Sequence, residues 1–212
     1  MFPPVEHADE DGLLAIGGDL SSRTLHHAYS HGIFPWPVEE LPLLWFAPPQ
    51  RGILFCDEFN VSRRLRRTLR SGRFHVCIDT DFESVMRGCA APRQGEDGTW
   101  ITDEIFEAYS RLHREGHAHC VATYRDGELV GGLYGVSWGA YFCGESMFHC
   151  EADASKAALV HLVEHVQSRG ATWIDIQMMT PHFQLFGARE VPRHEFTVML
   201  KAAMQQPIRL FD

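Results

Sequence analysis

The run T-W-I-D-I-Q-M-M (172–179) sets a carboxylate and a side-chain amide two residues apart in an apolar stretch. Read as a strand, it turns Trp173, Asp175 and Gln177 to one face and Ile174 and Ile176 to the other. A carboxylate in such surroundings loses water, which raises its pKa and suits it to hold an ammonium group and help remove its proton. The neighbouring amide can orient an amine or donate to a developing oxyanion. A strand-end aspartate satisfied by backbone amides is the alternative. Glu145, in C-G-E-S-M (143–147), is a second strand-end carboxylate. It suits a cationic side chain of a substrate, or an ordinary ion pair.

Aromatic rings can stack on a nucleic-acid base, and Trp45, Phe46, Trp100 and Phe142 are the candidates. Trp100, in a polar stretch after Gly98 and Thr99, reads as functional and Phe46 as core; Trp45 and Phe142 stay open between the two. The segment N-V-S-R-R-L-R-R-T-L-R-S-G-R-F (60–74) carries six arginines and no acid. Helical spacing gathers Arg63, Arg66, Arg67 and Arg70 on one surface, with Arg64 and Arg73 beside it, which suits phosphate contacts that position without reading sequence. The thirteen histidines form no recognised ligand set such as H-E-x-x-H, so no metal is expected. No nucleotide-phosphate loop motif is present.

The formal charge of −9 argues against a general nucleic-acid coat and makes the arginine cluster a local device. Residues 1–60 hold nine acids against Arg23 and Arg51 alone. The chain is 45% hydrophobic, enough for a sizeable core, and its six cysteines contain no C-x-x-C pair. They read as buried free thiols of a reducing compartment. No basic, apolar leader and no membrane-length apolar run is evident, so a cytoplasmic address is expected.

These groups must be positioned by a mixed α/β (α+β) fold. Proline and glycine punctuate residues 1–60, a small N-terminal domain with one helix from Ser21 or Ser22 to Gly32 and strands at 43–46 and 52–55. Residues 61–212 form the larger domain. Its pattern predicts helices at 62–70, 82–89, 102–115 (capped by Thr102) and 154–168 (with Asp153 at the cap), and a loop at 93–99. Strands are predicted at 74–78, 119–125, 128–136, 141–147, 172–177 and 195–201, with a turn or short helix at 183–187. Asp126-Gly127 marks a hairpin.

An ordered set of motifs carries a resemblance over most of the chain: G-L-L-A-I-G-G-D-L (12–20), G-I-F-P-W (32–36), L-W-F-A-P (44–48), G-T-W-I-T (98–102), L-V-G-G-L-Y-G-V (129–136), F-C-G-E-S-M-F (142–148), A-S-K-A-A-L (154–159) and I-D-I-Q (174–177). Together they resemble the leucyl/phenylalanyl-tRNA–protein transferase family. The resemblance implies an acetyltransferase-like (GNAT-type) catalytic domain with a mixed sheet. It implies transfer of Leu or Phe, and less well Met, from aminoacyl-tRNA to proteins beginning with Arg or Lys, marking them for degradation, with no metal and no cofactor beyond the tRNA; a monomer is the default expectation, apart from the resemblance. It points to Asp175 and Gln177 as catalytic and to Glu145, flanked by Gly144 and Ser146, as the acceptor contact. Leu133, Met147, Leu159 and Ile174 are then candidates for the donor side-chain pocket, though each singly reads equally well as core. Thr180, where the family usually has Asn, and L-F-G-A at 185–188, where it usually has Ser-Leu-Gly-Ala, depart from the pattern and bear on donor preference and the acceptor rim. A second reading, an acetyl-CoA-dependent N-acetyltransferase, lacks its glycine-bearing cofactor loop at H-C-E-A-D-A-S-K (149–156). A third, a non-catalytic tRNA-binding or N-terminus-reading module, would leave Asp175 dispensable.

Overall fold

The structure, a computed structural model, describes residues 2–38, 41–92 and 99–212. The expected loop at 93–99 therefore lies, Thr99 apart, outside the described residues, as does Gly98 of the G-T-W-I-T motif. Strands β1 (Leu13–Ile16), β2 (Phe34–Trp36) and β3 (Leu44–Phe46) make a small antiparallel sheet in the order β1-β3-β2. Helix α1 (Ser22–Tyr29) joins β1 to β2. The Ser21 hydroxyl caps it by accepting from the Thr24 N–H. Leu25, Ala28 and Tyr29 form its buried face.

The large sheet has seven strands in the order β10-β4-β9-β8-β7-β6-β5. They are β4 (Gln50–Phe55), β5 (His75–Ile78), β6 (Ala118–Arg125), β7 (Glu128–Trp138), β8 (Tyr141–His149), β9 (Trp173–Gln177) and β10 (Arg189–Pro192). β4 precedes the boundary drawn at residue 60 from composition, yet it is an interior strand of this sheet. Strands β5 to β8 are an antiparallel meander, and the β6–β7 hairpin turns through Asp126 and Gly127, both at positive φ. β8 and β9 are the parallel neighbours that make the sheet mixed.

Two apolar layers flank this sheet. One holds Trp45, Tyr109, Tyr134, Tyr141 and Trp173 beneath α1, α3 (Phe82–Ala90), α4 (Asp103–Arg114) and α7 (Arg193–Met204). The other holds Leu133, Phe142, Ile174 and Ile176 beneath α5 (Ala154–Ser168), with α2 (Arg63–Arg70) and α6 (Pro181–Gln184) at its margin. Thr102 caps α4 as expected. Asp153 stands before α5 at φ 72° and gives its carboxylate to Lys156 instead of to the helix N-terminus. Cys56, Cys89, Cys120 and Cys143 are buried, whereas Cys77 is half-buried and Cys150 exposed, correcting the expectation of uniformly buried thiols.

The strand expected at 195–201 is helix α7. Phe196, Val198 and Leu200 alternate in sequence, which reads as a strand. The fold buries Phe196, Leu200 and Ala203 at helical spacing and leaves Val198 70% exposed. Leu200→Ala is therefore expected to cost about 2–5 kcal/mol of stability. Val198→Ala is expected to stay within about 0.5 kcal/mol. Urea unfolding of the two variants distinguishes this helix from an alternating strand, which would lose stability at both positions.

Candidate active site

β8 and β9 meet at one register pair, Cys143 opposite Asp175. Asp175 is fully buried with its carboxylate filled. Oδ1 accepts from Arg51 Nε at 2.8 Å and the Gln177 N–H at 2.9 Å, and Oδ2 accepts from Arg51 Nη2 at 2.8 Å and the Tyr141 hydroxyl at 2.7 Å. Arg51, 1% exposed, donates Nη1 to the Gly32 carbonyl at 3.0 Å. Its guanidinium lies 4.8 and 4.7 Å from the ring centroids of Phe34 and Phe196. Burial alone would lower the guanidinium pKa; the Asp175 charge outweighs it and holds it above its ordinary value. The lone desolvated carboxylate expected at 175 is instead half of a buried bidentate pair.

Glu145 shares the Cys143 side of β8 at a spacing of two residues, and the sheet is irregular at this point. Tyr134 pairs with Ser146 and Gly135 with Gly144, which leaves Glu145 as the extra residue of a β-bulge. The bulge sends Met147 to the layer under α5. Glu145 Oε1 accepts from the Tyr29 hydroxyl at 2.7 Å and from Gln177 Nε2 at 3.0 Å, and Oε2 accepts from the Tyr109 hydroxyl at 3.2 Å. The two hydroxyls, both on wholly buried tyrosines, also lie against each other, so that their two hydrogens are shared among the three contacts. Burial pushes the Glu145 carboxyl up to about 7, with the tyrosine hydroxyls pulling against it.

Gln177 ends β9 at φ 61°, and the Met178 N–H donates to the Ile176 carbonyl at 2.8 Å across it. This three-residue turn places a non-glycine residue in the left-handed region, which costs about 1–3 kcal/mol. Beyond it the chain crosses Gly52 of β4, where a Cβ would lie 3.0 Å from the Met178 carbonyl carbon and 3.1 Å from the Met179 nitrogen. The buried Cys143 thiol, 3.5 Å from Gln177 Nε2, is pushed well above its usual pKa by burial and stays protonated.

The structure brings Asp175, Gln177 and Glu145 together and separates them from other candidates. Trp45 is fully buried, with Nε1 donating to the Gly17 carbonyl at 2.8 Å and Phe2 edge-on at 4.7 Å, so no ring face is open to a base. Phe142 is likewise core, against Phe211. Phe46 is half-buried opposite Phe34, packed against the margin of the core. Trp100 is half-buried and stacks on Trp36 at 5.5 Å and 13°. Gly144 and Ser146 flank Glu145, half-buried. Leu133, Leu159, Ile174 and partly buried Met147 share the layer under α5. Arg63, Arg64, Arg66, Arg67 and Arg70 are exposed on α2, and among the described residues no carboxylate pairs with them; Arg73 is paired with Glu151, which also holds Arg125.

Sequence reasoning missed Arg51, Tyr141, Tyr29, Tyr109 and Trp36. Arg51 alone left a signal, as a lone basic residue entering the apolar run G-I-L-F (52–55) of an otherwise acidic segment.

Comparison with known proteins gives consistent matches. The model of the leucyl/phenylalanyl-tRNA protein transferase family matches residues 53–201, and that of the same family's N-terminal domain matches residues 18–49. A leucyl/phenylalanyl-tRNA–protein transferase of Chromobacterium violaceum is 51% identical over 100% of this chain and 93% of its own. One from Nitrosospira multiformis is 52% identical over 95% of this chain and 88% of its own. Among solved structures, FemX shares the fold, with a TM-score of 0.52 and 11% identity over 81% of this chain and 66% of that one. A GCN5-related N-acetyltransferase-like protein from Streptococcus suis is matched at a TM-score of 0.39 and 14% identity, over 80% of this chain and 64% of its own.

Two outcomes follow from the geometry. Removing one half of the buried pair strands the other charge, so Asp175→Asn and Arg51→Met are each expected to cost about 3–5 kcal/mol in urea unfolding, while Arg51→Met with Asp175→Leu recovers most of it. Glu145 sits at about 7 in the fold against its ordinary 4.5. Stability from a group raised in this way is complete below 4.5 and lost as pH rises through 7. The Tm of the wild type is therefore expected to fall relative to Glu145→Gln between pH 5 and 8, measured calorimetrically; parallel Tm curves would contradict the raised carboxyl.

Proposed function

The chain belongs to the leucyl/phenylalanyl-tRNA–protein transferase family and is an aminoacyltransferase; from that premise we propose that it carries Leu or Phe, and less well Met, from aminoacyl-tRNA to the α-amine of proteins beginning with Arg or Lys, at Glu145 and Gln177. The product is marked for degradation. The enzyme works as a monomer in the cytoplasm, with no cofactor beyond its tRNA. Among the described residues no helix is long and apolar enough to cross a membrane.

One observation carries the reading. Glu145 is a carboxylate raised to about 7, held between two buried tyrosines and the Gln177 amide. A free α-amine has a reference pKa of about 7.7–8.0 and is mostly protonated at neutral pH. A carboxylate near 7 matches that proton better than an ordinary one does. Glu145 takes the proton from the ammonium, the amine attacks the ester carbonyl, and Gln177 turns to the oxyanion the amide hydrogen that it otherwise gives to the Cys143 sulfur at 3.5 Å. The carbon–nitrogen bond forms as the ester bond to the ribose oxygen breaks. The nitrogen loses two protons in all; one ends on the ribose hydroxyl and one leaves to solvent. Asp175, with its oxygens occupied, holds Gln177 through the backbone N–H and acts by positioning. Cys143 stays a thiol, which supports direct aminolysis without a covalent enzyme intermediate.

The exposed arginines of α2 receive the tRNA backbone, and the half-exposed Trp36–Trp100 stack receives its terminal base. The donor side chain enters beside Leu133, Met147, Leu159 and Ile174, where fit is by shape.

The direct test is transfer of labelled Leu, Phe and Met from charged tRNA to a peptide beginning with Arg, beside the same peptide beginning with Ala. Label on the Arg peptide alone is expected; equal labelling of both would remove the acceptor rule. The pH–kcat profile is expected to show an acid limb near 7 that Glu145→Gln abolishes, with kcat lower by about 10²–10⁴. A Glu145→Gln enzyme that keeps both the limb and the rate would remove Glu145 from the proton transfer.

A further inference from the structure

β5 is the last strand of the large sheet, three strands away from β8 and the candidate active site. It follows α2 after the short link 71–74. Val76 and Ile78 turn to the layer under α5, which leaves His75 and Cys77 together on the other face. There the Cys77 sulfur lies 3.1 Å from His75 Nε2, within hydrogen-bond distance. The pair opens into a surface cleft of about 470 Å³, whose wall also takes in Arg73, Thr80, Tyr124 and Asp126. Cys56, Cys89, Cys120 and Cys143 are buried, so Cys77 and Cys150 are the thiols that a reagent reaches from solvent.

A thiol reacts as its thiolate, and a base at hydrogen-bond distance makes one by taking the proton. His75 holds that position toward Cys77. The cleft gives a partner room beside the sulfur, and its size falls in the range of about 300–1,000 Å³ usual for small-molecule sites. Glu151 and Asp126 offset Arg73 and Arg125 locally. The field at the cleft therefore comes from the five arginines of α2, which among the described residues have no carboxylate partner. Such a field favours an anionic partner.

We propose that Cys77 is a modification site, at which a small disulfide carrying carboxylates, of the oxidised-glutathione class, exchanges with the thiol and leaves one acidic half in the cleft. The thiol proton passes to His75 Nε2. The sulfur attacks one sulfur of the disulfide, the old S–S bond breaks with its electron pair on the departing thiolate, and the proton follows to that thiolate. Cys77 is oxidised to a mixed disulfide as the departing half is reduced to its thiol, so no other oxidant enters. Excess small thiol drives the step backward, which makes the mark reversible in a reducing compartment. The retained half carries carboxylates that outnumber its ammonium and sets negative charge at the end of α2. The consequence rests on the reading of α2 as the seat of tRNA: the added charge weakens the hold on the phosphate backbone and slows transfer under oxidation.

The whole reduced chain, incubated with oxidised glutathione and mapped by mass spectrometry, tests the site. Cys77 is expected to take up one glutathionyl group about tenfold or more faster than Cys150, and His75→Gln to slow it by about tenfold while Cys150 keeps its rate. Cystamine, a disulfide ending in amines, is expected to narrow the preference for Cys77 over Cys150. Modification of Cys150 first, a rate at Cys77 indifferent to His75, or a stronger preference with cystamine would overturn the proposal. The enzyme modified at Cys77 is then expected to bind tRNA about threefold or more weakly at low salt, whereas Cys77→Ser taken through the same treatment binds as before. Unchanged binding by the modified enzyme, in a chain that loses affinity on Arg66→Ala with Arg67→Ala, would overturn the effect on tRNA. Arginine variants that keep their affinity would instead strike the reading of α2.

Discussion

The rest of the site depends on the buried ion pair of Arg51 and Asp175. Its two hydrogen bonds of 2.8 Å tie β4 to β9, its third tie reaches the Gly32 carbonyl after α1, and the rings of Phe34 and Phe196 close over it from β2 and α7. A charge this deep is stable only when every donor and acceptor around it is met. Arg51 therefore dictates where the small sheet, α1 and α7 sit against the large sheet. Tyr29, which α1 carries to Glu145, is placed by the same constraint.

Upon that fixed frame, two local departures from regular strand geometry aim the reactive groups. Glu145 shares the layer of the buried tyrosines with Cys143, two residues before it, and the bulge at Glu145 keeps Met147 out of that layer, where an unbroken alternation would have sent it. The left-handed turn at Gln177 stops β9 as soon as its amide has met Glu145 and its N–H has met Asp175. Each departure carries a cost in backbone strain or lost pairing, and each is surrounded by contacts that hold it. Desolvation then follows from the packing of Tyr29 and Tyr109, and it moves Glu145 into the range where it can exchange a proton with an amine.

Much of this was legible locally. The i, i+2 spacing of Asp175 and Gln177 set their common face, and caps at Ser21 and Thr102 fixed helix starts, because these signals act within a few residues. The partner of Asp175 was not legible, since nothing near Arg51 says which strand will lie beside it. The bulge was hidden for the same reason: it exists only in the register between β7 and β8. Helix α7 was misread because Phe196, Val198 and Leu200 satisfy a period of two while burial selects Phe196, Leu200 and Ala203. Trp45 and Phe142 could not be told from base-stacking rings by composition, because burial is set by what packs over them. Domain organisation from proline and glycine content placed β4 apart from the sheet that it completes.

The separation of Arg51 from Asp175 by 124 residues has a consequence during synthesis. At about 5–20 residues per second, on the order of ten seconds passes between the emergence of one residue and of the other. The β5–β8 meander can assemble in that interval, since its neighbours are adjacent in sequence, but β4 cannot join until β9 arrives between it and β8. Nascent chains thus pass through a stage in which a guanidinium destined for the interior waits in water and β8 presents its whole outer edge to the cell. A chaperone that covers exposed strand edges would find its natural target there, on a chain still attached to the ribosome.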